Sequence, residues 1–269
     1  MKTVFLNFYG QLCFGMGIVE PDISPEQFIP EHVFLYIIHG AMQGYDGHKS
    51  RMFKAGEGYL FRKNHLVRYK KEKAYGTFDK VILTIEEPFL RAFQEKHKAA
   101  PVTFDSTESF FEVEPNDLLL HFIQSLQPYY QHGKMDAPFG DLKREELLLI
   151  LLKNHPELAG IFFDYGKPEK INLSAFMNRN YTFNVSIERF AYLTGRSLSA
   201  FKRDFKAIFK ETPNHWLVQR RLQEAYFLIE KKNGKPSEIY LDLGFESLSH
   251  FSYAFKKRFG VTATELKGR

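Results

Sequence analysis

The chain has 269 residues, of which 44% are hydrophobic and 26% are charged. This composition excludes disordered and collagen-like proteins, and the length favours two domains over a single core. No run of about 18 consecutive apolar residues occurs, so the sequence predicts no transmembrane helix. Cys13 is the only cysteine, which excludes an internal disulfide and multi-cysteine metal sites. These features predict a globular cytoplasmic protein, with residues 1–19 as one or two strands and Cys13 as a small core residue.

Short β-rich runs occupy residues 33–85 and are separated by turn residues about every ten positions. This spacing is typical of an all-β sandwich or barrel. The predicted strands are 33–38, 58–61, 66–69 and 78–85. The segments 44–47 and 55–58 are predicted to be hairpin connections, because glycine adopts positive φ and Asp46 can bond to its own backbone.

The pattern changes to helical after Pro88. Leucine and isoleucine recur every three to four residues in 117–126 and 142–152, which predicts two helices. The second is apolar nearly all round at 147–152, so it is either buried in the core or packed on a second subunit. We expect this apolar stripe to contribute to a dimer contact through Leu147, Leu148, Ile150 and Leu151.

The charge is divided unevenly along the chain. Residues 1–166 contain 18 Lys and Arg against 22 Asp and Glu, whereas residues 167–269 contain 19 against 10. Clustered basic residues favour a module that binds a polyanion, although a solvated basic surface is the alternative. Residues 163–170, with a glycine and a proline, are the predicted linker, so we predict domains at 1–165 and 168–269.

An internal repeat at an offset of 50 residues lies in the basic region. Residues 197–209 align without gaps to residues 247–259, and seven of the thirteen positions are identical. In both copies the apolar residues fall on one helical face and the polar residues between them on the other. Each copy is therefore predicted to be an amphipathic helix with a basic outer face.

Each of these helices follows a shorter helix and a glycine turn. The short helices are 187–193 and 238–243, followed by Gly195 and Gly244. This is the helix-turn-helix arrangement, with Ser197 and Ser247 as N-caps of the second helices. Residues 214–232 are predicted to form one connecting helix of about 28 Å. That length is compatible with two helices entering successive major grooves, about 34 Å apart.

The basic region resembles the AraC/XylS family of bacterial transcription regulators. The residues GFESLSHFSYAFKKRFG at 244–260 are similar to the family's second helix-turn-helix signature, and residues 209–216, with Thr212 and Pro213, to the close of its first. The N-terminal region resembles the family's cupin-like jelly-roll sensor followed by dimerisation helices, and the layout is similar to regulators of type III secretion. Tyr253 stands where the family often has arginine, and Ala263 where it usually has proline.

The resemblance implies an α+β protein. Its N-terminal part would be a cupin-like β-sandwich or barrel with accessory helices, and its C-terminal part an all-α domain of two helix-turn-helix units joined by a long helix. It further implies a sequence-specific regulator of double-stranded DNA, an activator, with RNA polymerase as a partner and a homodimeric state. Control by a small-molecule effector and control by a regulatory protein both remain open.

The sequence also predicts which residues make the contacts. Base readout is assigned to Ser199, Lys202, Arg203, Ser249, His250, Ser252 and Tyr253. Phosphate contacts are assigned to Lys206, Lys256, Lys257 and Arg258, which lie later on the same faces. An apolar effector pocket is assigned to Phe34, Tyr36, Tyr59 and Phe61.

The alternative function is a cupin-type enzyme, with or without a metal, fused to a DNA-binding module. Catalytic cupins hold their metal with a His-x-His pair and further ligands. That pair is missing here, since the histidines of the β-rich region stand alone, at positions 32, 39, 48 and 65. We therefore predict a protein that is not an enzyme, with no catalytic residues, no metal and no cofactor.

Overall fold

The computed structural model describes residues 27–72, 78–100, 102–103, 106, 108–129 and 135–267. Cys13 and the strands predicted within residues 1–19 lie outside these residues. The described chain forms two compact units, one comprising residues 29–166 and the other running from Lys167 onward together with Gln27 and Phe28. In the described part, no helix is both long and apolar enough to cross a membrane.

In its described residues, the first unit has strands arranged in three sheets, and the strands of the two larger sheets are antiparallel. A four-stranded sheet has the order β8-β2-β5-β9, a three-stranded sheet the order β4-β3-β7, and β1 pairs with β6. The strands are β1 Phe28–Ile29, β2 His32–His39, β3 Ala41–Tyr45, β4 Ser50–Lys54, β5 Gly58–Phe61, β6 His65–Leu66, β7 Arg68–Lys71, β8 Asp79–Ile85 and β9 Phe110–Val113.

Both faces of the four-stranded sheet are buried, which explains why β2 is apolar at six consecutive positions. Successive side chains of a strand point to opposite faces. Phe34 and Tyr36 pack in one cluster with residues of the helices, whereas Leu35 and Ile37 pack in a second cluster with Phe53 of the other sheet. The sheet therefore lies between a helical layer and a second sheet, as in the predicted sandwich with accessory helices.

The four residues predicted to line one effector pocket are divided between these two faces. Tyr59 and Phe61 are paired in register with Leu35 and Val33, and they belong to the cluster opposite to that of Phe34 and Tyr36. All four are buried. The prediction of a single pocket lined by all four residues is therefore wrong, because Phe34 and Tyr36 point to one face of the sheet and Tyr59 and Phe61 to the other.

The two glycine-rich segments have different roles. Asp46 caps the hairpin between β3 and β4, since its Oδ1 accepts hydrogen bonds from the backbone N–H of His48 at 2.9 Å and of Lys49 at 3.0 Å. This is the predicted self-bonding aspartate. The segment at 55–58 is not a hairpin connection, because it leads from β4 in one sheet to β5 in the other.

The described residues of the first unit also form four α-helices. They are α1 Glu87–His97, α2 Asp117–Leu126, α3 Ala137–Asn154 and α4 Ala159–Phe162. The predicted dimer stripe on α3 is buried within its own unit: Leu147 and Leu148 are 0% exposed, Leu151 is 1% and Ile150 is 9%. The prediction that this stripe forms a dimer contact is wrong, because it fills the core between α3, the other helices and the sheet. The exposed apolar residues of α3 are Phe139, Leu142 and Leu149.

The second unit is helical in its described part. Its helices are α5 Leu173–Asn180, α6 Ile187–Leu193, α7 Leu198–Phe209, α8 Pro213–Lys232, α9 Pro236–Asp242, α10 Leu248–Phe259 and α11 Ala263–Lys267. Residues 164–172 have no regular secondary structure. The expected order of β-rich region followed by helical region is confirmed.

His32 should make the first unit less stable as the pH falls. Its ring is buried, its Nδ1 accepts a hydrogen bond from the backbone N–H of Lys63 at 3.3 Å, and desolvation together with Lys63 and Arg62 lowers its pKa to about 3. The unfolded state then binds the extra proton below about pH 6.5, so stability is full at higher pH and falls with decreasing pH in this window. We expect a loss of about 2 kcal/mol between pH 7 and pH 5.

Urea unfolding followed by circular dichroism at the two pH values measures this loss. His32→Asn is the matched variant, because its amide oxygen can accept the same hydrogen bond and does not titrate. A smaller pH dependence is expected for this variant; an unchanged one would show that His32 is not the group responsible. Burial also lowers the pKa of His65, which adds a contribution of the same sign.

Candidate DNA interface

The first helix-turn-helix is formed by α6 and α7. Ser197 is the N-cap of α7, with its Oγ accepting from the backbone N–H of Ala200 at 3.3 Å. This confirms the predicted cap. Between the helices, Gly195 has φ +64°, and an added Cβ there would lie 2.5 Å from the backbone nitrogen of Lys170. The turn thus requires glycine both for its backbone angle and for its close approach to the chain before α5.

One face of α7 is buried and the opposite face is open. Phe201 and Phe205 are 0% exposed, and the ring centroids of Phe209 and Trp216 of α8 lie 4.6 Å apart. The four residues of α7 predicted to contact DNA are all exposed and spaced i, i+3, i+4 and i+7, which places them on one face: Ser199, Lys202, Arg203 and Lys206.

Arg203 forms an ion pair with its acidic neighbour Asp204. The guanidinium is 77% exposed, with Nη2 lying 3.3 Å from Asp204 Oδ1. Asp204 also accepts a hydrogen bond from Nε of Arg196, a side chain that is only 8% exposed. The hydrogen bond from Arg196, followed by those from Arg203, lowers the pKa of Asp204. A carboxylate that is held in its charged form therefore lies next to Arg203.

The second helix-turn-helix repeats the first with α9 and α10. Ser247 caps α10 by accepting from the backbone N–H of His250 at 3.2 Å, as predicted. Phe251 and Phe255 are buried against α8, in the same pattern as Phe201 and Phe205. The structural repeat therefore follows the sequence repeat at each capped and buried position.

The outer face of α10 presents most of its predicted contact residues to solvent. Ser249, His250, Ser252, Tyr253, Lys256 and Lys257 are exposed. Tyr253 is 69% exposed and lies beneath Lys257, whose Nζ is 6.0 Å from the ring centroid. Arg258 differs, because it is half-buried with its guanidinium 5.3 Å from the ring centroid of Phe259.

Helix α11 begins without the proline that the family usually has at position 263. Glu265 donates its backbone N–H to Thr262 Oγ1 at 3.1 Å, and its carboxylate accepts from the N–H of Thr262 at 2.7 Å. This reciprocal pair is a capping box. Ala263 is buried behind it. The capping box starts the helix in place of the proline.

The connector α8 contacts both helix-turn-helix units along its length. Its 20 residues span about 30 Å at about 1.5 Å per residue. Trp216 near its start packs on α7, and Leu222, Ala225 and Ile229 further on pack in the cluster that includes α10. Arg221 lies between these two contacts and is only 8% exposed.

The histidines of the β-rich region are engaged in other contacts. His65 Nδ1 lies 2.8 Å from the carbonyl oxygen of Lys63, and His39 Nδ1 lies 3.2 Å from Asp79 Oδ2. Within the ranges that the structure describes, no group of three or more histidine, cysteine and acidic residues could hold a metal ion.

Comparison with known proteins matches two family models. Residues 32–161 match the ExsA N-terminal regulatory domain, and residues 190–269 match a helix-turn-helix domain. The virulence regulon transcriptional activator VirF of Yersinia enterocolitica is 30% identical over 162 residues, covering 58% of each chain. The regulator ExsA of Pseudomonas aeruginosa is 28% identical over 123 residues, 45% of this chain and 44% of ExsA. Apo ToxT from Vibrio cholerae, a solved structure, is 14% identical with a TM-score of 0.45, covering 91% of this chain and 92% of ToxT.

The match to VirF covers little more than half of that relative's length. The two family models nevertheless fall on the two units of the structure, the ExsA-type model on the β-rich unit and the helix-turn-helix model on α7 to α11. With this pairing of domains, the chain belongs to the AraC family of helix-turn-helix regulators, with a layout like that of type III secretion regulators.

Proposed function

We propose that this protein is a sequence-specific DNA-binding transcription regulator that activates its target genes. The observation that carries the proposal is the pair of capped helices α7 and α10, each of which buries its phenylalanines and exposes a polar and basic face. Helices of this kind read base edges in the major groove, and lysines on the same face bind phosphates. The names of VirF and ExsA support the assignment.

The N-terminal unit is proposed to control DNA binding through an effector or a protein partner, without catalysing a reaction. A ligand can shift DNA affinity only by the difference in its own affinity for two states of the protein, typically about 1 to 3 kcal/mol. RNA polymerase is the proposed partner in activation, and a homodimer the proposed assembly. The ExsA-type regulatory domain model at residues 32–161 supports the control role.

The fragment of residues 168–269 should fold and bind duplex DNA by itself. It contains both helix-turn-helix units, the connector and an excess of eight positive charges, 18 basic against 10 acidic. Its affinity should fall steeply with salt, because binding releases counterions from the phosphates. Gel-shift titration at several salt concentrations measures both properties. If the full-length chain binds DNA at low salt and the folded fragment does not, the fragment does not bind DNA by itself as predicted. If neither the fragment nor the full-length chain binds DNA, the proposed function is contradicted.

Arg203→Ala and Lys256→Ala should weaken DNA binding in different ways. Loss of Arg203 should cost about 1 to 3 kcal/mol on the preferred site and relax the preference at one base position. Loss of Lys256 should weaken all sequences alike and reduce the salt slope by about one. Affinities on the preferred site and on single-base variants separate these effects. If both variants lose the same affinity on every sequence and differ from the wild type only in salt dependence, Arg203 does not read a base.

A further inference from the structure

Arg221 holds three backbone carbonyl groups with one side chain. Its Nε donates to the carbonyl oxygen of Tyr181 at 2.7 Å, its Nη2 to that of Phe183 at 2.8 Å, and its Nη1 to that of Gly244 at 2.7 Å. Burial lowers its pKa to about 10, so the guanidinium is charged at neutral pH. A buried charge of this kind is stable only because its N–H groups are satisfied.

The three carbonyl groups come from two separate parts of the C-terminal unit. Tyr181 and Phe183 lie in the segment that leads into α6, whereas Gly244 lies in the turn between α9 and α10. The arginine itself lies on the connector α8. Because a guanidinium is a rigid planar fork, binding all three carbonyls fixes the position of the second turn relative to the first unit.

Gly244 permits this close approach. It has φ +83°, and an added Cβ would lie 2.6 Å from the carbonyl oxygen of Thr182 and 2.8 Å from Cζ of Arg221. On the surface above it, the side-chain amide of Asn184 donates to Glu246 at 3.4 Å. The second helix-turn-helix therefore contacts the segment before α6 directly, in addition to packing on α8.

We infer that Arg221 is a positioning residue that fixes the separation and orientation of the two recognition helices. Apolar contacts join each helix-turn-helix to its own part of α8. The guanidinium of Arg221 joins the turn of the second helix-turn-helix to the segment before α6. The inference rests on the proposed function in one respect: the fixed arrangement would allow α7 and α10 to bind two major-groove segments at the same time. Its geometric content, a fixed arrangement of α7 and α10, can be measured without DNA.

Pulsed electron paramagnetic resonance measures that arrangement in the full-length chain. Cys13→Ser removes the native thiol, and spin labels are attached at Ala207→Cys and Lys257→Cys, exposed equivalent positions of α7 and α10. We expect one narrow distance distribution in this parent and a broadened one in Arg221→Met. Lys232→Met, which removes a positive charge from the exposed end of the same helix, should leave the distribution narrow.

A broad distribution in the parent would overturn the inference, whatever the variants do. An unchanged distribution in a folded Arg221→Met variant would overturn it equally. If Arg221→Met does not fold, Arg221→Lys takes its place, since lysine keeps the charge and loses the planar fork. Broadening in Arg221→Lys would then support the inference, and a narrow distribution there would oppose it.

Spacing tolerance on DNA provides a readout that a general loss of stability would not change. The probe is a duplex selected from a random library by the unlabelled wild-type chain, which is the parent in this comparison, and it is compared with a version carrying five extra base pairs between the two contacted segments. This insertion rotates one segment by about half a helical turn. The parent should lose affinity on the order of 10²-fold, whereas Arg221→Met should lose less than about tenfold, because loosely joined units adapt to the new phase.

Equal spacing penalties in parent and variant would oppose the role of Arg221. Failure to select any sequence would instead contradict the proposed function, and the distance measurement would still decide the geometric inference. The two failures are therefore distinguishable.

Discussion

Leu148→Glu is expected to unfold the N-terminal unit. Leu148 is 0% exposed and lies in the cluster formed by the sheet and the helices around it. Loss of a buried leucine side chain alone costs about 2 to 5 kcal/mol, and burial of a carboxylate adds to this cost. Since a domain is stable by only about 5 to 15 kcal/mol, the variant should not retain a folded N-terminal unit.

Leu149→Glu is the matched control, because the next residue on the same helix is 46% exposed. A surface change of this kind alters stability by about 0.5 kcal/mol or less. Limited proteolysis and thermal melting by circular dichroism would compare the two variants. Trp216, the only tryptophan, reports separately on the C-terminal unit, and its fluorescence transition should persist in both variants. A folded, monomeric Leu148→Glu protein would contradict this prediction and would show that Leu148 lies in a subunit interface.

Elements with clear local signals were predicted from the sequence. The strand β5 and the helices α2 and α6 begin and end at the predicted residues, since each is bounded by turn or capping residues. The connector was predicted from residue 214, and Pro213 at its first turn extends it by one residue. Local propensity is sufficient where the start and stop signals lie within the element's own sequence.

Elements that depend on distant contacts were not predicted. The strands β3, β4 and β9 were missed, and the predicted strand at 66–69 is divided between β6 and β7. Gly44 suggested a turn, but it lies within β3, where a Cβ would meet the ring of Phe53 on β4. That glycine is explained by cross-strand packing, which the local pattern does not contain.

In the candidate site, too, the sequence predicted the residues with a local signal and missed those that depend on distant contacts. Helical periodicity placed Lys202 and Lys206 on one exposed face, because the buried phenylalanines of α7 determine which face points outward. It did not identify Arg196 and Arg221, whose partners include backbone carbonyl groups more than 20 residues away in the sequence. In the sequence these arginines are two more basic residues of a basic region, and only the fold shows that they are buried.

Gly195→Ala should destabilise the C-terminal unit about two to three times as much as Gly260→Ala. Both glycines have positive φ, +64° and +74°, so both substitutions carry the cost of about 1 to 2 kcal/mol for a left-handed L-residue. At Gly260 an added Cβ meets nothing within 4 Å, whereas at Gly195 it meets backbone atoms of Glu169 and Lys170. Backbone atoms cannot rotate away as a side chain does, so overpacking adds about 1 to 3 kcal/mol or more.

Urea unfolding followed by Trp216 fluorescence measures this difference, because Trp216 packs on Phe205 and Phe209 of α7, directly after the Gly195 turn. We expect the midpoint to shift slightly in Gly260→Ala and strongly in Gly195→Ala. DNA affinity should follow the same order, since displacement of the turn moves α7 relative to α6. Equal shifts in the two variants would mean that only the backbone angle matters at Gly195. The contact between this turn and the chain before α5 would then not position the first recognition helix.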